Sequence, residues 1–169
     1  MIDDCQLSEH FSLYELTRTD HTALQEQNRN ITYDQVQKLT KLADWLEDPR
    51  EIVGPMRSHC GYRCDALNGT LPGHSSTSQH PKCEALDFDV PGEDVEVTWQ
   101  KLYDAAKAGK LPGFGQLILE EANRGYAVSK WVHISIAGTL NPDHVGQVMK
   151  MQAGPDGVPH YEVVEKISQ

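Results

Sequence analysis

Two segments of the chain place acids and histidines where strand alternation would turn them to one side. From Glu84 to Val90, Leu86, Phe88 and Val90 fall on one face of a strand, and Ala85, Asp87 and Asp89 on the other. From Trp131 to Ile136 the pattern repeats. Val132, Ile134 and Ile136 share one face, and Trp131, His133 and Ser135 share the other. Pairing of these strands would project Asp87 and His133 into one cleft. His80, just before the first strand, is placed to fold back over Asp87. Two imidazoles and one carboxylate make a catalytic zinc set, with a fourth position left for water. The metal lowers the pKa of that water toward ~7 and polarises a carbonyl, so the chemistry expected is hydrolysis of an amide or ester. His80, Asp87 and His133 are therefore the candidate ligands and Zn2+ the candidate cofactor. His59 and His74 lie near the same segment and are the substitutes. His10, His21, His144 and His160 are bystanders.

These residues need a scaffold. Ser12 to Glu15 and Thr32 to Gln35 each read as a capping box opening a helix. After the second box Val36, Leu39, Leu42, Ala43 and Leu46 fall at helical spacing, with an end expected before Pro49. A third helix is expected over Glu96 to Ala108, stopped by Gly109 and Pro112. Strands are expected at Glu84–Val90, Phe114–Glu120 and Trp131–Ile136. Gly146–Gln152 and His160–Val164 are further strands, in a hairpin around Gly154 to Gly157. The segment from Cys60 to His80, rich in Gly, Ser, Asn and Thr, reads as a long functional loop. The fold class expected is α+β, with N-terminal helices packed on a small, mainly antiparallel sheet that carries the zinc site. At 169 residues the chain suits one domain, 1–169.

The formal net charge of −10 argues against nucleic acid as partner, because no basic stripe is present to meet phosphates. The acidic opening segment lacks an apolar core of signal-peptide length. No run approaches the roughly 18 apolar residues of a membrane span. Synthesis in a cytoplasm, no membrane insertion and a monomeric protein are expected. Four cysteines are present, Cys5, Cys60, Cys64 and Cys83. They fit buried reduced thiols, a disulfide among Cys60, Cys64 and Cys83, or a Cys-rich structural zinc site.

Several segments together resemble a known family. Ser78-Gln-His80-Pro-Lys-Cys-Glu-Ala85-Leu-Asp87 resembles the S-x-H-x-x-G-x-A-x-D motif of the zinc D-Ala-D-Ala carboxypeptidases and related murein endopeptidases. His10 to Thr17 looks like the opening segment of the small phage-endolysin branch. Cys60-Gly-Tyr-Arg63-Cys-Asp-Ala-Leu-Asn68 resembles its S-G-Y-R-S-x-x-L-N segment. Gln116–Glu120 and Trp131–Ser135 look like its last two strands. The resemblance spans residues 10–137 and leaves 138–169 as a C-terminal extension. It implies a metallopeptidase acting on peptidoglycan peptides, a phage lysis enzyme that reaches the wall by a holin-like route. His80, Asp87 and His133 become its zinc ligands, and Arg63 and Ser78 its substrate contacts. The motif glycine is Cys83 here, and the serines flanking Gly-Tyr-Arg are Cys60 and Cys64. Many relatives carry the catalytic acid three residues before the last histidine. Here that position is Lys130, and the role passes to Glu120, with Glu121 taking over if the register slips by one residue.

Overall fold

In the computed structural model, which describes residues 2–71, 75–123, 125 and 127–168, both capping boxes are formed. Ser12 accepts from the Glu15 amide while the Glu15 carboxylate takes the Ser12 amide at 2.9 Å, opening α1, Leu13–Thr17. A short helix the periodicity does not reveal follows, α2, Gln25–Arg29. The Thr32–Gln35 box then opens α3, Tyr33–Val53, whose expected stripe Leu39, Leu42, Ala43 and Leu46 is buried. The end expected before Pro49 is wrong, since α3 runs through Pro49. Proline costs a helix interior about 3 kcal/mol. Here Pro49 and Val53 are buried and Ile52 packs against the core, and this apolar burial offsets the lost hydrogen bond.

β1, Arg57–Cys60, and α4, Asp65–Thr70, come next. α4 occupies part of the stretch expected to be a structureless loop, with Leu67 and Asn68 buried. β2 is Ala85–Asp89. α5, Val95–Lys107, is capped by the Asp94 carboxylate on the Glu96 amide and lies within a residue of its expected bounds. β3, Phe114–Asn123, and β4, Val128–Ile136, form a hairpin. β5, Gln147–Ala153, and β6, Pro159–Lys166, form the expected second hairpin, closed by a Gly157 amide to Gly154 carbonyl bond of 2.9 Å.

The six strands make one sheet in the order β1-β2-β4-β3-β5-β6. Every neighbouring pair is antiparallel except β3 with β5. The protein is thus α+β with a mainly antiparallel sheet, as the alternation predicts. One face of the sheet carries Leu86, Phe88, Leu117, Leu119, Val132, Ile134 and Val148 into a single core with the helices, where Leu39, Leu42, Leu46, Trp99 and Leu102 meet them. Each such side chain, fully buried, contributes about 1.5–3 kcal/mol. The opposite face has a smaller apolar cluster of Ile118, Met149 and Met151, edged by Trp131. The polar residues of interest share that second face.

Candidate metal centre

Asp87 on β2 pairs directly with His133 on β4, so their side chains leave the sheet together. The ladder between β1 and β2 starts with Arg57 opposite Asp89 and Ser58 opposite Phe88. Regular continuation would set His59 opposite Asp87. The register instead shifts between Ser58 and Cys60, and Cys60 stands opposite Asp87. A shift of this kind re-aims a side chain. The result is one row across three strands, Cys60, Asp87 and His133, continued by Ile118 on β3. His59 goes to Asp89, Nε2 to Oδ1 at 3.3 Å, on a carboxylate that also pairs with Arg57. It is no substitute ligand in this arrangement. His74 lies outside the described residues.

His80 comes to this row from a short 3-10 turn, His80–Lys82. Two clasps hold the turn. The Gln79 side-chain amide donates to the Ile136 carbonyl at 2.9 Å. The buried Glu84 carboxylate accepts from the Thr139 amide at 3.0 Å and its hydroxyl at 3.1 Å. Gly138 lies so close that a Cβ there would stand 2.4 Å from the Glu84 carboxyl carbon. Cys83 ends the turn at φ 62° and ψ 38°, the one non-glycine residue with positive φ among those described. That conformation accounts for a glycine at this place in the motif.

His80 is 3% exposed, and its Nδ1 lies 2.8 Å from the Gly61 carbonyl. A carbonyl only accepts, so Nδ1 carries the proton and Nε2 is left with a free lone pair that could hold a metal, 3.2 Å from Asp87 Oδ2. Gly61 reaches this position because it has no side chain: a Cβ would stand 2.6 Å from the Leu16 carbonyl oxygen. His133 Nδ1 meets the other Asp87 oxygen, Oδ1, at 2.8 Å. The two imidazoles sit edge to face with centroids 5.1 Å apart.

Burial opposes charge on Asp87, but the facing His80 and His133 imidazoles, with the hydrogen bond at His133 Nδ1, outweigh it and hold this carboxyl far below the usual range. Burial lowers His80 despite Asp87. For His133 burial is again the largest influence, yet the hydrogen bond and charge of Asp87 together raise it. Burial, with the Asp87 charge adding, pushes the Cys60 thiol up to about 12.

Glu120 on β3 is 9% exposed and pairs with Trp131 of β4, one step along the same face from the Asp87–His133 row. Burial, then the Asp87 charge, raises it to about 7. Glu121 faces the helix side, where its carboxylate lies 3.3 Å from Lys130 Nζ. Lys130 also meets Glu96 of α5 at 2.6 Å, so the position that carries an acid in many relatives is turned away from His133 here. Arg63 donates through Nη2 to the Ser78 hydroxyl at 3.2 Å. Its Nε is buried without a hydrogen-bond partner, and no carboxylate pairs with it among the described residues. Its charge acts on Cys60, His80, His133 and Glu120.

The donor set suits a metal ion. One ligand atom each from Cys60, His80 and Asp87 lie within 4.8 Å of one another, combining thiol, imidazole and carboxylate. Cys64 and Cys83 are not part of this group, which removes the Cys-rich structural site from consideration. Of the alternatives for the cysteines, the disulfide is not formed either, for all four thiols are free. Cys60 lies in the row with Asp87 and His133, Cys64 stands at the N-cap of α4 with its amide donating to Asn28 Oδ1, and Cys83 is buried at the end of the His80 turn. The serine-to-cysteine changes in the motif point to thiols near the site that could alter ligation, but they do not single out Cys60 beside His80 and Asp87, because the register shift leaves no trace in composition.

The family model described as Peptidase M15 matches residues 9–135. No curated protein and no solved structure matches the chain. No helix among the described residues is long and apolar enough to cross a membrane.

Proposed function

From the premise that the chain belongs to the Peptidase M15 family, whose members are metal-dependent peptidases, we propose that it is a zinc peptidase of peptidoglycan. It hydrolyses an amide bond in stem peptides or their cross-links. His80, Asp87 and His133 hold the zinc, Glu120 moves the proton, and Arg63 and Ser78 contact the substrate. One observation carries this reading. A carboxyl raised to about 7 shares a sheet face with the His–Asp–His group. Such a group exchanges protons readily at neutral pH.

Zinc, when bound, supplies Lewis acidity toward the scissile carbonyl. Glu120 takes a proton from the attacking water and returns it to the leaving amine nitrogen. Arg63 offers its guanidinium charge and fork to a substrate carboxylate or carbonyl. Ser78, anchored to Arg63 Nη2, orients the same part of the substrate. The apolar strip of Ile118, Met149, Met151 and Trp131 beside Glu120 excludes water from one flank of the reacting bond. A role in phage lysis belongs to this reading and rests on the likeness of His10 to Thr17 to the small phage-type branch.

The test is digestion of purified peptidoglycan with zinc supplied and with zinc chelated, followed by mass analysis of the products, beside His133→Ala. New amine termini from the zinc-loaded protein alone are expected. Bound zinc with no hydrolysis, unchanged by Glu120→Gln, would identify a non-catalytic domain instead.

A further inference from the structure

The peptidase reading employs His80, Asp87 and His133 and leaves Cys60 without a task. Yet Cys60 Sγ belongs to the tight donor cluster with His80 and Asp87, all within 4.8 Å. Its place follows from the sheet. An unshifted β1–β2 ladder would put His59 beside Asp87, and the shift at this point puts Cys60 there. An extra residue in a strand costs ladder pairing, so the local structure gives up regularity where a thiol is aimed at the row. Cys64 and Cys83 are buried elsewhere, which confines thiol chemistry at the centre to Cys60. A thiolate is a far better zinc ligand than the serine hydroxyl that stands here in the related motif.

We infer that Cys60 is a protein ligand of the metal centre, its sulfur joining the His80 imidazole and the Asp87 carboxylate on the ion. This rests on the metal-centre reading above. Coordination exchanges one S–H bond for one sulfur–metal bond, and the proton passes to solvent.

Cobalt(II) titration of the reduced, metal-free protein tests this. Wild type is expected to show sulfur-to-cobalt charge-transfer absorption in the near ultraviolet beside visible ligand-field bands. Cys60→Ser should keep the ligand-field bands, lose the charge-transfer band and bind cobalt at least about tenfold more weakly. Ligand-field bands without charge transfer in wild type would overturn the inference and leave the metal centre standing. So would a charge-transfer band that survives Cys60→Ser. Failure to bind cobalt at all would remove the metal centre and the inference with it. Alkylation mapping of wild type needs no variant: bound cobalt should protect Cys60 from iodoacetamide while Cys5 still reacts, and equal labelling of Cys60 with and without cobalt refutes the ligand role.

Discussion

Glu120 and Glu121 are neighbours on β3 and serve opposite faces of the sheet. Glu120 lies in the site, paired across the ladder with Trp131, and Glu121 reaches Lys130 at 3.3 Å on the helix side. A side-chain period of two makes the two acids non-interchangeable. Glu120→Gln is expected to lower kcat by about 10²–10⁴. Glu121→Gln should leave it near wild type, because its partly exposed ion pair contributes less than about 1 kcal/mol. Initial rates on muropeptides measure both.

The same carboxyl makes stability depend on pH. Its value rises from 4.5 in the unfolded chain to about 7 in the folded one. The folded state therefore holds more protons between these limits, and Glu120 lowers stability as pH climbs through that window. In metal-free protein Glu120→Gln should gain stability relative to wild type on going from pH 4 to pH 8. Urea midpoints across that range, compared between the two proteins, check the sign. A difference that does not grow with pH contradicts it.

Asn28 ties the N-terminal helices to the segment that carries Arg63. It is fully buried, donates to the Thr17 carbonyl at 2.8 Å and the Tyr62 carbonyl at 3.1 Å, and accepts from the Cys64 amide at 2.7 Å. Asn28→Ala leaves three buried backbone groups without their partner. The expected loss is about 3 kcal/mol or more, read from chemical denaturation.

Cys83 holds the left-handed conformation that ends the His80 turn. For a side chain this costs roughly 1–2 kcal/mol. Cys83→Gly relieves that strain while adding backbone entropy of about 0.5–1 kcal/mol and deleting a buried thiol. The changes nearly cancel, and stability should stay within about 1 kcal/mol of wild type. Cys83→Val, β-branched at the same φ, should destabilise strongly. Thermal melts of both variants distinguish backbone strain from simple side-chain burial, which would rank them in the reverse order.

The parts of the site that obey local periodicity are legible in the sequence. Asp87 and His133 alternate with core residues on β2 and β4, and they pair directly. The capping boxes at Ser12 and Thr32 mark helix starts for the same local reason. What escapes is set by distant contacts. β1, Arg57–Cys60, has no apolar alternation, and only Ser58 in it is buried. α4 contains Asn68 and Gly69, poor helix formers, and forms because Leu67 and Asn68 find burial. Pro49 reads as a stop until the core beneath Val53 is known. The shift that exchanges His59 for Cys60 is a property of the ladder between two strands, written in neither alone.

One strand from beyond the family-matched residues borders Glu120. β5 runs parallel to β3, with Met151 beside Glu120 and Met149 beside Ile118. Tyr161 of β6 continues the row and feels the Glu120 charge. Parallel pairing joins segments far apart in the chain and is slow to form. In any state where this hairpin is undocked, water reaches Glu120 and its proton affinity falls toward that of a free carboxylic acid. The raised proton affinity of Glu120 is therefore a property of the far edge of the sheet as much as of its own strand, and it arrives only when that edge closes.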